Sequence, residues 1–327
     1  MKKLSYYFTI VSVLFLSSCG SIDVLTLDQL YPAEINFPES VKVVGVVNNM
    51  PSRPELKKNI LKAGTLEGDG KMSAEALASS IADSRYFNQV IICDSSLQDK
   101  EASEFLSQSE VDYLAGMLNV DILFSFEKLS VDVRKEDFFV QEWRTSIPVI
   151  TAEVSPEVAV YIPGRSNPLM VIAPKDTIRF DVNSRLSEKS LMDEVVRKVS
   201  ETVTNKIVPY WKPSDRIFFN GGGVEMRDAA VYVREGNWEG ARGEWMNLYN
   251  RLKKGSTKFK AAFNIALSYE MTGNIQEAQN WMNTASGLMT NDSLDRQVYS
   301  FYKKELDERA SIYAKLNIQM NRFNDNF

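Results

Sequence analysis

The sequence predicts an α/β domain built on a mixed sheet, followed by an all-α domain. Three observations carry this. Between residues 41 and 208, short β-branched runs alternate with amphipathic helical stretches, an order that favours parallel strands joined by right-handed crossovers. Beyond residue 224 the alternating pattern of strands disappears and only helical periodicity remains. Between the two regimes lies "NGGG" at 220–223, which reads as a flexible hinge. The expected organisation is a leader over 1–18, a tether over 19–39, the α/β domain over 40–212, a linker over 213–223 and the helical domain over 224–327.

Each α/β element has its own signal. "VKVVGVV" (41–47) is a continuous β-branched run, as in a strand covered on both faces. A short helix is expected at 55–63, then a helix "AEALASSIADS" capped by Ser73. "QVIICD" gives a second buried strand, and Ser109 is expected to cap a helix carrying Val111, Leu114 and Leu118. In the third strand Ile122, Phe124 and Phe126 share one parity while Leu129, Val131 and Val133 share the other. A regular strand cannot bury both sets on one side, so a bulge is predicted near Glu127–Lys128. Strands at about 138–151, 156–162 and 168–182 follow as a meander, with a turn at Pro163-Gly164. A helix over 188–208 closes the domain on Leu191, Val195, Val199 and Ile207, or on the Val196 and Val203 stripe. This element order resembles the small α/β domain of the Tol-pathway propeller protein and the periplasmic domain of curli-type secretion lipoproteins.

The helical domain carries an internal pattern. Counting from Phe259, Ala266, Tyr269, Gly273, Ala278, Met282 and Ala285 fall at positions 8, 11, 15, 20, 24 and 27. Upstream, Ala229, Tyr232, Gly236, Ala241 and Trp245 repeat positions 8, 11, 15, 20 and 24, with Leu248 at position 27. The pattern resembles the tetratricopeptide repeat, whose period is about 34 residues. The resemblance implies an all-α tetratricopeptide-repeat domain of paired helices, with a capping helix after Thr290. "IVPYWKPSDRIFF" and "GNWEGA" also resemble segments of an uncharacterised family of envelope lipoproteins, a likeness that implies architecture and location only.

The amino terminus supplies the location. Lys2 and Lys3, an apolar run to Leu16 and the exit Ser17-Ser18-Cys19-Gly20 describe a secretory signal peptide, too short to span a bilayer. Leu16 to Gly20 resemble a bacterial lipobox, which implies cleavage before Cys19 and acylation of its thiol and new amino group. More than one acyl chain makes a stable anchor. Gly20 is not the aspartate of an inner-membrane retention signal, so the expected site is the outer membrane, facing the periplasm.

Composition narrows the chemistry. The chain has no histidine, which removes Ser-His-Asp and Cys-His nucleophiles, His-bearing zinc sites and imidazole acid–base work. The formal charge of −5 falls by two with the leader, which argues against nucleic acid and against an anionic bilayer surface as partners beyond the lipid itself. After lipidation Cys93 is the only remaining cysteine, so no internal disulfide forms, and it reads as a small buried hydrophobe. "AGTLEGDGKMS" (63–73) fails as a phosphate loop: five residues separate Gly64 from Gly70, and Met72 stands where Ser or Thr would hold magnesium. Glu136, Asp137 and Glu142 lie among Arg134, Lys135 and Arg144, a solvated edge rather than a metal site. Trp211 is expected to pack, with a carbohydrate platform as the second reading.

No catalytic, cofactor-binding or metal-binding residues are expected. The leading expectation is a non-catalytic adaptor that holds other envelope proteins in its repeat groove, lined by Met226, Ala230, Val233, Lys260, Phe263, Asn264 and Leu267. There Lys260 and Asn264 would meet a partner's carboxylate and backbone, with Phe263 as apolar anchor. The alternative is a glycan or small-ligand module using the α/β domain. A histidine-free hydrolase ranks last.

Overall fold

The computed structural model describes residues 22–51, 61, 63–93, 104–182 and 187–326, and within them the chain forms two units. One comprises Pro32–Tyr210 and the chain from Ile318 onward, the other residues 22–31 and Trp211–Asn317. The elements run β1 (Ile22–Tyr31), β2 (Val43–Asn48), β3 (Gly64–Glu67), α1 (Gly70–Asp83), β4 (Gln89–Cys93), α2 (Gln108–Leu118), β5 (Ile122–Val140), β6 (Thr145–Tyr161), β7 (Met170–Ile172), β8 (Asp176–Asp181), α3 (Glu188–Ile207) and β9 (Tyr210–Phe219). Five helices follow: α4 (Val224–Arg234), α5 (Trp238–Arg251), α6 (Ser256–Met271), α7 (Ile275–Leu288) and α8 (Ser293–Met320). The leader, Cys19 and most of the expected 55–63 helix lie outside the described residues.

The α/β unit is a mixed sheet in the order β4-β2-β5-β6-β7, with β3 added to β5 and β8 to β6. β2 runs parallel to both β4 and β5, and its valines 44, 46 and 47 are fully buried, as a strand between parallel neighbours requires. The register of β5 shifts between Phe126 and Lys128. That bulge brings Ile122, Phe124 and Phe126 into the same core as Leu129, Val131 and Val133. α1 and α3 join this core through Leu77, Ile81, Leu191, Val195 and Val203. α2 covers a second cluster with Val47, Leu123 and Tyr161, against which Leu118 and Cys93 are partly buried.

Several boundaries differ from expectation for local reasons. Asp69, not Ser73, caps α1 by accepting the Met72 amide at 2.9 Å, so the helix starts earlier and Ser73 is buried inside it. Ser107, not Ser109, caps α2, because its capping box needs Glu110 three residues on. The strand expected over 138–151 is split by a turn at 141–144, so β5 and β6 form one long hairpin. "AGTLEGDGKMS" contributes β3, antiparallel to β5. The last residues of α8 and the chain after it also belong to this unit, where Gln319 bonds the main chain of Ala33 and Ile35 and Phe323 packs on Tyr86.

In the helical unit, α4 with α5 and α6 with α7 form two hairpins that turn on Gly-Asn pairs. Gly236 (φ +72°) and Gly273 (φ +83°) adopt the left-handed turn conformation. The following Asn237 and Asn274 cap α5 and α7, and their amides reach Tyr232 O and Tyr269 O at 2.9 Å each. Ala229, Ala241, Ala266 and Ala278 are fully buried. Residues 22–31 of the expected tether and 213–219 of the expected linker are strand, β1 pairing with β9. Trp211, near the start of β9, is 67 % exposed rather than packed.

Candidate functional site

β9 runs along α6, and the two elements together occupy the face expected to receive a partner. Asn264 accepts the Phe219 amide at 2.9 Å through Oδ1 and donates from Nδ2 to Phe219 O at 2.6 Å. The Phe219 ring meets Phe263 edge-on at 5.1 Å and Phe259 at 6.0 Å, and Phe263 in turn packs on Tyr302 of α8 at 5.0 Å. Met226, Ala230, Val233, Phe263, Asn264 and Leu267 are all buried, with Phe263 and Asn264 at 0 % exposure. The groove residues therefore form a core rather than an open surface. The cause is non-local: the segment expected to be a free linker supplies Phe218 and Phe219 to that core. Lys260 keeps an 18 % exposed side chain, 3.6 Å from Asp295 and 5.2 Å above the Phe219 ring.

The polar centre of this face is a buried ion cluster. From β9, the Arg216 guanidinium donates to Glu270 of α6 at 2.8 Å, to Gln29 of β1 at 2.6 Å and to the Ser214 hydroxyl at 2.7 Å. Glu270 also accepts from Arg309 and from the Tyr302 hydroxyl, each at 2.8 Å. Burial alone would raise the Glu270 carboxyl, but Arg216 and Arg309 hold it below the ordinary carboxylate range. Burial and the adjacent Glu270 charge push the Tyr302 hydroxyl well up. Sequence reading missed this cluster, although two signals exist. Ser214, Arg216 and Phe218 alternate along β9 as a buried face, and Glu270 lies on the helical stripe of Phe263 and Leu267.

A second buried carboxylate lies in the α/β unit. The β5 bulge turns Glu127 inward to 2 % exposure. Its partners are neutral: Asn49 Nδ2 donates at 2.6 Å and the Tyr161 hydroxyl at 3.3 Å. Burial raises the Glu127 carboxyl above its ordinary range despite these bonds. Asn49 Oδ1 is buried with no hydrogen-bond partner among the described residues. The cluster lies at the carboxyl end of β2, where its parallel pairing with β5 stops, the side on which open α/β sheets place ligands.

The profile of a domain of unknown function, DUF8603, matches residues 41–219. The chain belongs to this family. The DUF8603 region spans β2 to the last residue of β9, so it includes both Glu127 and Arg216. The profile of a second domain of unknown function, DUF6340, matches residues 227–308, from α4 into α8. No curated protein matches the chain. Among solved structures, a minor lipoprotein from Acinetobacter baumannii aligns at 8 % identity and TM-score 0.25, over 51 % of this chain and 93 % of its own. A hypothetical protein, CT253, from Chlamydia trachomatis aligns at 13 % identity and TM-score 0.25, over 50 % and 98 % respectively. Among the described residues, no helix is long and apolar enough to cross a membrane.

Proposed function

We propose that this member of the DUF8603 family is a lipid-anchored, non-catalytic envelope protein that acts as a protein–protein adaptor. In this reading the two hairpins are tetratricopeptide repeats, and Cys19 carries the anchor in the outer membrane facing the periplasm. The observation that carries the reading is the pairing of Asn264 with both main-chain groups of Phe219, flanked by Phe259 and Phe263. A helical face that holds an extended segment by its backbone, with aromatic pockets beside it, uses the chemistry of peptide recognition. The chain's own β9 is the resident occupant, so partners dock beside it or displace it.

Photo-crosslinking in the native envelope tests this. The full chain carries a benzophenone amino acid either at Val231 on α4, which is 48 % exposed, or at Tyr113 on α2, which is 69 % exposed. The adaptor reading expects one discrete protein adduct from position 231 and none from position 113. Absence of any protein adduct from position 231 contradicts it. A second reading, a glycan or small-ligand module, rests on Asn49 and Glu127. It expects cell-wall sugars to raise the Tm of the full chain, and Glu127→Gln to remove that shift.

A further inference from the structure

A cleft of about 590 Å³ opens in the helical unit where β9 ends. Its lining includes the glycine loop after Asn220, Arg227 and Arg234 of α4, and Thr257 and Lys260 of α6. Gly222 adopts φ +119°, and an added Cβ would stand 3.2 Å from Thr257 Cγ2, so a side chain there would crowd the cleft. Three cations line the cleft, Arg227, Arg234 and Lys260, and two of them are paired with acids beside it. Arg234 lies 3.2 Å from Asp23, and Lys260 lies 3.6 Å from Asp295, which is itself buried and held by the Ser256 hydroxyl. Glu225, at the start of α4, is taken up by Arg251. Arg227 is exposed and pairs with no acid among the described residues.

Chain connectivity says what anion this cleft meets. Asp23, the partner of Arg234, is only four residues beyond Cys19. An extended chain spans at most about 3.6 Å per residue, so four residues reach at most about 14 Å. With Cys19 acylated, the cleft is held within reach of the lipid headgroups, where an anionic surface attracts Lys and Arg over a screening length of about 8–10 Å. A planar guanidinium beside an ammonium suits a phosphate. We propose that this cleft binds the phosphate of an anionic lipid headgroup in the membrane that anchors the chain. The proposal rests on the acylation of Cys19. The net acidic charge of the whole chain disfavours broad attraction to such a surface, so the contact is local to these residues.

The test uses the full chain, extracted from its envelope in a non-ionic detergent, by calorimetric titration. The probes are dihexanoyl phosphatidylglycerol, dihexanoyl phosphatidylcholine and inorganic phosphate. Phosphatidylglycerol is expected to bind saturably, about tenfold or more tighter than either other probe. Arg227→Gln, at an exposed position, is expected to weaken it about tenfold, the scale of one charge-assisted contact. Equal binding of the two lipids, or an unchanged Arg227→Gln variant, overturns the proposal. Inorganic phosphate binding as tightly as phosphatidylglycerol assigns the cleft to a free phosphate, and an acidic peptide that displaces the lipid assigns it to a protein carboxylate; either overturns the headgroup. The intact mass of the same preparation reads acylation. An unacylated chain that still discriminates sinks the anchor alone, whereas an acylated chain that fails to discriminate sinks the site alone.

Discussion

Glu127 and Glu270 are both buried carboxylates, with 2 % and 0 % exposure, yet the two units treat them in opposite ways. In the helical unit Glu270 is met by Arg216, Arg309 and Tyr302, so that β9, α6 and α8 share one charge cluster, which Gln29 of β1 joins through Arg216. In the α/β unit Glu127 meets the neutral Asn49 and Tyr161, with no cation paired to it among the described residues. A compensated buried pair adds little net stability but is costly to break, and it specifies which elements meet. An uncompensated buried carboxylate costs the fold free energy. The first arrangement ties β9 to its helix. The second marks a position whose chemistry is not explained by support of the fold.

The contrast is sharpest in Glu270→Gln. It leaves the buried Arg216 with a neutral partner and the more distant Glu305 carboxylate, 3.7 Å away, and the expected loss is about 3 kcal/mol. Urea unfolding followed by tryptophan emission reads it, because Trp245 is buried in the helical unit. The pH dependence has a definite sign. Because Glu270 is held below its ordinary range, its contribution is present above that range and is lost as pH falls through the lowered value. An unchanged midpoint at pH 7 would break the comparison.

Asn264→Ala comes next. It strands the amide and carbonyl of Phe219, at an expected cost of about 1–3 kcal/mol. A loss near zero by the same measurement would mean that β9 is held by its side chains alone.

Glu127→Gln is the smallest effect and has the opposite sign. Glu127 is raised in the fold, so stability is fullest below its ordinary range and falls as pH rises through the raised value. The amide removes that penalty and is expected to stabilise the α/β unit by about 1 kcal/mol at pH 7. The gain should vanish at low pH, as read by hydrogen exchange in β2 and β5. Destabilisation at pH 7 would show that the charge is needed.

These residues also show how far the sequence could be read. The parity switch between Phe126 and Leu129 placed the bulge, because side-chain alternation is a local property of one strand. The bulge's consequence, an inward Glu127 beside Asn49, joins residues 78 apart and left no local trace. The stripe of Met226, Phe263 and Leu267 was legible as one apolar face. Its cover was not, because "PSDRIFF" carries prolyl and charged residues that read as linker until Arg216 finds Glu270. Helix starts at 70 and 108 were missed by a few residues, since the capping acceptors Asp69 and Ser107 precede serines that compete as caps.

The central claim is that the helical face is occupied by the chain's own strand. Amide hydrogen exchange at Phe219 in the full chain tests it most directly. The account predicts that this amide, bonded to Asn264 Oδ1, exchanges as slowly as the core amides of α6 and loses that protection in Asn264→Ala. Exchange of the Phe219 amide at the rate of an open loop would contradict the account and return the groove residues to solvent.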